Sequence, residues 1–118
     1  MKKVAAIVVT YNRKELLREC LQALLAQTIP DLDILLVDNA STDGTKEYIT
    51  DIVEENPSIR YMNTGSNLGG AGGFHYGLKK AYEMGYDYMW IMDDDTIPYP
   101  DALEQLFIAD KKLKGRYG

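Results

Sequence analysis

Tyr86-Asp87-Tyr88-Met89-Trp90-Ile91-Met92-Asp93-Asp94-Asp95-Thr96 is an apolar run that ends abruptly in three consecutive carboxylates. Residues 88–92 read as a buried strand, bounded by Gly85 and the acids. Strand side chains alternate between faces, which predicts Asp93 and Asp95 on one side and Asp94 on the other. Three like charges at a strand end repel one another unless water or a cation relieves them. Two carboxylates on one side, with room for more oxygens, suit a Mg²⁺ or Mn²⁺ that keeps positions open for phosphate. The competing reading is a solvated acidic turn that caps the next helix.

Upstream, strand and helix patterns alternate. Lys3 to Val9 is a β-branched and small apolar run, the pattern of a central parallel strand buried on both faces. Thr10-Tyr11-Asn12 ends it. Asn12, with Glu15 three residues on, predicts a capped helix start. Leu16, Leu17, Cys20, Leu21, Leu24 and Leu25 then keep helical spacing, and Pro30 closes the segment. Leu32 to Val37 is a second strand, ending at Asp38-Asn39. A turn from Ala40 to Gly44 leads into a helix with Tyr48, Ile49, Ile52 and Val53 on its apolar side, stopping before Pro57. Ile59 to Met62 is a short third strand. A glycine-dense connection follows from Asn63 to Gly73. Phe74 to Met84 reads as a helix with Leu78, Ala81 and Tyr82 toward the core. After the acids, Pro100 suits the first position of a last helix, with Asp101 and Glu104 in its first turn and an end near Lys112. Lys111 to Arg116 reads as a basic, solvated end.

This alternation predicts parallel strands with right-handed crossovers, hence one α/β domain over residues 1–118 with an open, mainly parallel sheet and alternating helices. Ligands of such sheets sit beyond the carboxyl ends of the strands. Thr10 to Asn12, Asp38-Asn39, Asn63 onward and Asp93 to Asp95 gather on that edge.

Composition narrows the function. A chain of 118 residues with 46% hydrophobic content forms one core. A net charge of −5 argues against nucleic acid as a partner, though a metal can still bridge the protein to an anionic nucleotide. Cys20 is the single cysteine, so no internal disulfide forms, and its spacing predicts a core role. The apolar run from Val4 to Val9 is too short to span a membrane.

Each candidate at the edge has a structural alternative. Tyr11 ends the first strand, where its ring either covers a flat base or sits half-buried at the rim. Asp38 reaches the same base or its ribose, or caps the next turn. The glycines from Gly69 to Gly73 either expose backbone N–H groups to phosphate or a sugar hydroxyl, or let a helix pack closely on the sheet. They do not form the dinucleotide fingerprint, because position 75 is His75. His75 itself reads as structural or solvated. Asn67 either orients the loop or touches the ligand.

Four motifs together carry a resemblance. Val8-Val9-Thr10-Tyr11-Asn12-Arg13, Leu36-Val37-Asp38-Asn39-Ala40-Ser41-Thr42-Asp43-Gly44-Thr45, Asn67-Leu68-Gly69-Gly70-Ala71-Gly72-Gly73-Phe74 and Trp90-Ile91-Met92-Asp93-Asp94-Asp95 resemble, in order and spacing, the family 2 glycosyltransferases of the GT-A fold. Within that family the glycine loop and the triple Asp look most like galactofuranosyl- and rhamnosyltransferases. The resemblance implies a nucleotide-diphosphate-sugar donor, UDP- or TDP-linked, and a carbohydrate or lipid-linked acceptor. It implies that Thr10, Tyr11 and Asn12 lie by the nucleotide, that Asp38 bonds the base, and that Asn67 and Gly70 line the same site. It places Gly72 and Asp94 toward the sugar. Asp93 and Asp95 match the D-x-D motif, with Asp93 at the ribose and metal and Asp95 as the more direct ligand of Mg²⁺ or Mn²⁺. It also implies inversion at the anomeric centre, with a carboxylate base on the acceptor hydroxyl, in the cytoplasm or at the cytoplasmic face of the membrane.

Members of that family continue past the D-x-D helix into an acceptor half that holds the general base. The chain stops at Gly118, so the expectation is a truncated donor-binding half whose base lies beyond Gly118. A half-domain leaves apolar sheet surface open, which favours a homo-oligomer. Two alternatives compete. One is a non-catalytic nucleotide-sugar-binding module. The other is a haloacid-dehalogenase-like phosphatase with Asp93 as nucleophile, although that motif belongs at the end of a first strand and here it ends the fourth.

Overall fold

The computed structural model describes residues 3–29 and 31–117, with side-chain surroundings as far as Ala109. Pro30, read as a helix stop, and the solvation of Lys111 to Arg116 lie outside what it describes. Strand β1 (Val4–Thr10) is followed by α1 (Lys14–Leu25), β2 (Leu32–Asp38), α2 (Thr45–Tyr48), α3 (Thr50–Glu55), β3 (Ile59–Asn63), α4 (Gly69–Glu83), β4 (Tyr88–Asp93) and α5 (Ala102–Tyr117). The sheet runs β3-β2-β1-β4, and every pairing is parallel. The predicted open parallel α/β architecture is therefore the observed one.

Strand β1 sits at the centre because its residues are apolar on both faces. Val4, Ala6 and Val8 point into a core shared with Leu17, Leu21, Leu24 and Ile49. Ala5 and Ile7 point to the other side, with Leu35, Val37 and Ala81. The register levels the carboxyl ends, since Thr10 pairs with Asp38, Asp38 with Asn63, and Val9 with Asp93. Two residues beyond the Thr10–Asp38 pair, both chains turn through left-handed backbone, at Asn12 (φ 52°) and Ala40 (φ 61°). Asn tolerates that region, whereas Ala there stores strain of about 1 kcal/mol.

Helix α4 departs from its prediction in two ways. It starts at Gly69, inside the glycine run, and its buried face is Gly73, Gly77 and Ala81. A Cβ on Gly73 would lie 2.6 Å from Val9 Cγ1, and one on Gly77 would lie 2.6 Å from Ile7 Cγ2. Glycine therefore lets the backbone of this helix rest on the side chains of β1, the packing alternative for Gly73, while Gly69 and Gly70 have open space beside them. Tyr82, expected on the core side, is 80% exposed, because the small-residue face turns it outward.

Other expectations are corrected by packing. Strand β4 is an edge strand with β1 as its one paired neighbour among the described residues, so Met92 alone of its apolar residues is buried and Ile91 is exposed. Leu16, Leu25 and Tyr48 are exposed, and the helix expected after Gly44 breaks into α2 and α3 at Ile49. Asn12 does not cap α1. The amide of Lys14 donates instead to Asp43 Oδ2 at 3.4 Å, across from the loop after β2. Helix α5 starts two residues after Pro100, where the buried Gln27 clamps its entry. Gln27 Nε2 donates to the Tyr99 carbonyl at 2.7 Å and its Oε1 accepts from the Leu103 amide at 3.1 Å.

The close approach of α4 makes a test. Gly77→Ala forces a methyl against Ile7 and Val37 and is expected to lower stability by about 1–3 kcal/mol. Gly70→Ala, with nothing within 4 Å of the added atom, is expected to raise it by up to about 1 kcal/mol through helix propensity. Urea unfolding of both variants checks this, and equal effects would refute the packing account.

Candidate functional site

The carboxyl ends of β1, β2 and β4 and the start of α4 enclose an open cleft of about 490 Å³. Its acidic side comes from the triplet. Strand β4 stops at Asp93, and a turn closed by the Thr96 amide on the Asp93 carbonyl, at 3.1 Å, carries Asp94 and Asp95. The expected alternation survives in burial: Asp93 and Asp95 are exposed and Asp94 is 5% exposed.

Asp94 is buried because β1 supplies its partner. Thr10 Oγ1 donates to Asp94 Oδ2 at 2.9 Å. Arg13 Nη1 approaches Asp94 Oδ1 at 3.4 Å and Asp95 Oδ2 at 3.6 Å. Burial pushes the Asp94 carboxyl above its usual range, the Thr10 hydrogen bond and Arg13 pull it back, and Asp95 and Asp93 push it further up. Burial, and then the charges of Asp94 and Asp95, raise the Cys20 thiol to about 12, so this core cysteine stays protonated.

The opposite wall is backbone. Asn67 Oδ1 accepts from the Gly69 amide at 2.9 Å, and Gly69 has φ 75°, so Asn67 shapes the entry to α4. Gly70 meets nothing within 4 Å of its Cβ direction and leaves the cleft open there. Tyr11 stands at the mouth, 42% exposed. Between the walls sits Asn39, buried at the end of β2. Its Nδ2 donates to the Gly69 carbonyl at 2.9 Å, and its Oδ1 accepts from Thr64 Oγ1 at 3.2 Å and the Leu68 amide at 3.4 Å.

Thr10, Tyr11, Asn67, Gly70, Asp93, Asp94 and Asp95 thus meet around one cleft, and Asn12, Asp38 and Gly72 do not line it. Asn12 ties two loops together. Its amide donates to Ser41 Oγ at 3.0 Å, and its Oδ1 accepts from the Thr42 amide at 2.7 Å. Asp38 is buried with both oxygens engaged, by the Ser41 amide at 2.9 Å and the Tyr61 hydroxyl at 2.6 Å. It faces a separate depression of about 470 Å³ beside Lys46 and Tyr61. Gly72 packs on Leu68, where a Cβ would lie 2.8 Å from Leu68 Cβ. His75 is exposed on α4.

Arg13, Asn39 and Phe74 line the cleft without having been singled out. For Asn39 the signal was available in strand alternation: if Asp38 turns to one side of the sheet, its neighbour turns to the other. Among the described residues no three His, Cys, Asp or Glu side chains converge as a metal cage, and no helix is long and apolar enough to cross a membrane.

Comparisons with known proteins match the chain to one family and one fold. The family model described as glycosyl transferase family 2 matches residues 5–112. Galactofuranosyltransferase GlfT1 of Mycolicibacterium smegmatis is 39% identical over 95 residues, covering 80% of this chain and 30% of that protein. Undecaprenyl-phosphate mannosyltransferase of Micrococcus luteus is 38% identical over 111 residues, covering 91% of this chain and 44% of that protein. This chain therefore spans less than half the length of either relative. Among solved structures, Staphylococcus aureus TarS in complex with UDP superposes with a TM-score of 0.80 at 25% identity, covering 93% of this chain and 32% of that one. Mannosyltransferase PcManGT of Pyrobaculum calidifontis, in complex with GDP-Man and Mn²⁺, gives 0.72 at 30% identity, covering 86% and 30%. These matches set the phosphatase reading aside.

The Asp38–Tyr61 contact has a measurable signature. Burial, and then the hydrogen bond to Asp38, push the Tyr61 phenol from 10.0 up to about 12. A raised pKa in the fold stabilises the folded protein below the unfolded value, and that stability is lost as pH rises through the folded one. Stability is expected to fall between pH 10.0 and about 12, with a shallower fall in Tyr61→Phe. Denaturant midpoints across this range check it, and identical slopes would show that Tyr61 does not titrate with the fold.

Proposed function

The chain belongs to glycosyl transferase family 2, and from that premise we propose that it binds a nucleoside-diphosphate sugar as the donor-binding part of a glycosyltransferase. The observation that carries this reading is the convergence of two exposed carboxylates, Asp93 and Asp95, with an open glycine backbone at the carboxyl edge of a parallel sheet. The reaction is transfer of the sugar from UDP or TDP to the hydroxyl of a carbohydrate or lipid-linked acceptor, with inversion, in the cytoplasm or at the cytoplasmic face of the membrane. Complexes of similar proteins with UDP and with GDP-Man support the donor class.

Each residue has a physical task in this reading. Tyr11 offers a ring at the mouth on which a base can stack. Asn67 and Gly70 hold bare backbone toward the nucleotide. Asp94, held by Thr10, lines the floor toward the sugar. Asp38 reaches the site through the loop it braces.

The donor set fits a divalent cation. Asp93 and Asp95 offer hard oxygens on the open side of the cleft and would hold a Mg²⁺ or Mn²⁺ whose remaining ligands would come from water and phosphate. When bound, the metal neutralises charge on the leaving diphosphate. The protein's part is to hold the donor against the glycine wall and to keep Asp94 out of the diphosphate's path. The base that takes the acceptor's proton is not assigned to any residue of this chain.

Titration calorimetry with UDP, in Mn²⁺ and then in EDTA, tests the reading. Binding is expected to weaken strongly without metal, because carboxylates repel a bare diphosphate, and Asp95→Asn is expected to remove most of the difference. Tyr11→Ala is expected to weaken binding by about 1–3 kcal/mol if the ring stacks on the base. Equal affinity with and without metal refutes the metal site, and an unaffected Tyr11 variant moves the base elsewhere.

A further inference from the structure

The aspartate triplet already has a cation at its side. Arg13 Nη1 lies within 3.4 Å of Asp94 and 3.6 Å of Asp95, so one guanidinium nitrogen serves two carboxylates. The two contacts differ in kind. Asp94 is buried and also held by Thr10 at 2.9 Å, whereas the Asp95 side chain is 53% exposed and, among the described residues, has the Arg13 ion pair but no hydrogen bond. The Arg13 side chain is itself 53% exposed and long enough to swing into water. Its backbone is fixed, because the Leu17 amide donates to the Arg13 carbonyl at 2.9 Å in the first turn of α1.

Charge balance shows what this arrangement lacks. Asp93, Asp94 and Asp95 set three negative charges against one guanidinium, which leaves two unbalanced, the charge of one divalent cation. Removing the Asp94 contact would leave a buried carboxylate with only its Thr10 hydrogen bond. Removing the Asp95 contact exposes two groups that water solvates well.

Resting on the metal-dependent reading above, we infer that Arg13 is the resident counter-cation of the triplet, permanent for Asp94 and exchangeable for Asp95. A divalent cation enters by displacing Arg13 from Asp95 while Arg13 keeps its hold on Asp94. Arg13 is a positioning residue in this role. It sets the threshold concentration at which the site loads.

Mn²⁺ binding to the chain without nucleotide, followed by the loss of the free-ion paramagnetic resonance signal, tests this apart from any activity. Two charges interacting across a few ångströms in a solvated site predict that Arg13→Gln binds Mn²⁺ about tenfold more tightly than the unmodified chain. The gain should shrink at high salt and vanish when Asp95→Asn is added. Arg13→Lys keeps the positive charge and should stay within about threefold of the unmodified chain. Equal or weaker Mn²⁺ binding by Arg13→Gln overturns the counter-cation role while leaving the metal site standing. Failure of both proteins to take up Mn²⁺ even with UDP present overturns the metal site, and the role of Arg13 with it.

Discussion

Helix α4 rests on the central strand at a distance that only glycine allows, and the cleft depends on that contact. Gly73 lies against Val9 and Gly77 against Ile7. Any side chain at either position would lift the helix. Its N-terminal turn would then move away from the ends of β1 and β2, and the glycine wall at Gly69 and Gly70 would leave the acids it faces. The cost of so much glycine in a helix, about 1 kcal/mol per residue against alanine, is offset by burying both surfaces of β1.

On the other side of the cleft the governing term is the burial of Asp94. One carboxylate of the three gives up water and must be repaid by hydrogen bonds, which Thr10 and Arg13 supply. A hydrogen bond to a charged group is worth about 1.5–3 kcal/mol. The bond from Thr10 therefore ties the turn after β4 to the end of β1 and decides which way the triplet faces. With Asp94 turned inward, Asp93 and Asp95 are left outward on the open side. The split between an inward acid and two outward ones follows from this bond together with the turn that closes on the Asp93 carbonyl.

Polar residues at the strand ends divide their labour along similar lines. Asn12 and Asp38 direct their hydrogen bonds to neighbouring loops, and Asn39 pins the start of α4 through Leu68 and Gly69 and the loop after β3 through Thr64. Residues whose bonding capacity is consumed by the scaffold position the site. Residues left with free surface, such as Tyr11 and Asp95, are available to a ligand.

How much of this was legible differs by kind of information. Hydrophobic periodicity is local, so the order of strands and helices, the parallel sheet and the gathering of Thr10, Asn67 and Asp93 to Asp95 on one edge could all be read from the chain. The resemblance to family 2 glycosyltransferases rested on the same local motifs. Position within the sheet is not local: β4 reads as buried by its apolar run yet lies at an edge, since hydrophobicity does not say how many neighbours a strand has. The face of α4 was misjudged at Tyr82 for a related reason. A stripe of glycines gives no hydrophobic signal, although it is the face that packs. The choice between Asp38 and Asn39 at the cleft, and the grip of Arg13 on Asp94 across 81 positions of sequence, rest on left-handed turns and cross-strand partners. Sequence alone determined which groups reach the carboxyl edge, because each strand carries its own end. Only the tertiary structure decided which of them face the cleft, because that depends on where each one's hydrogen bonds are already taken.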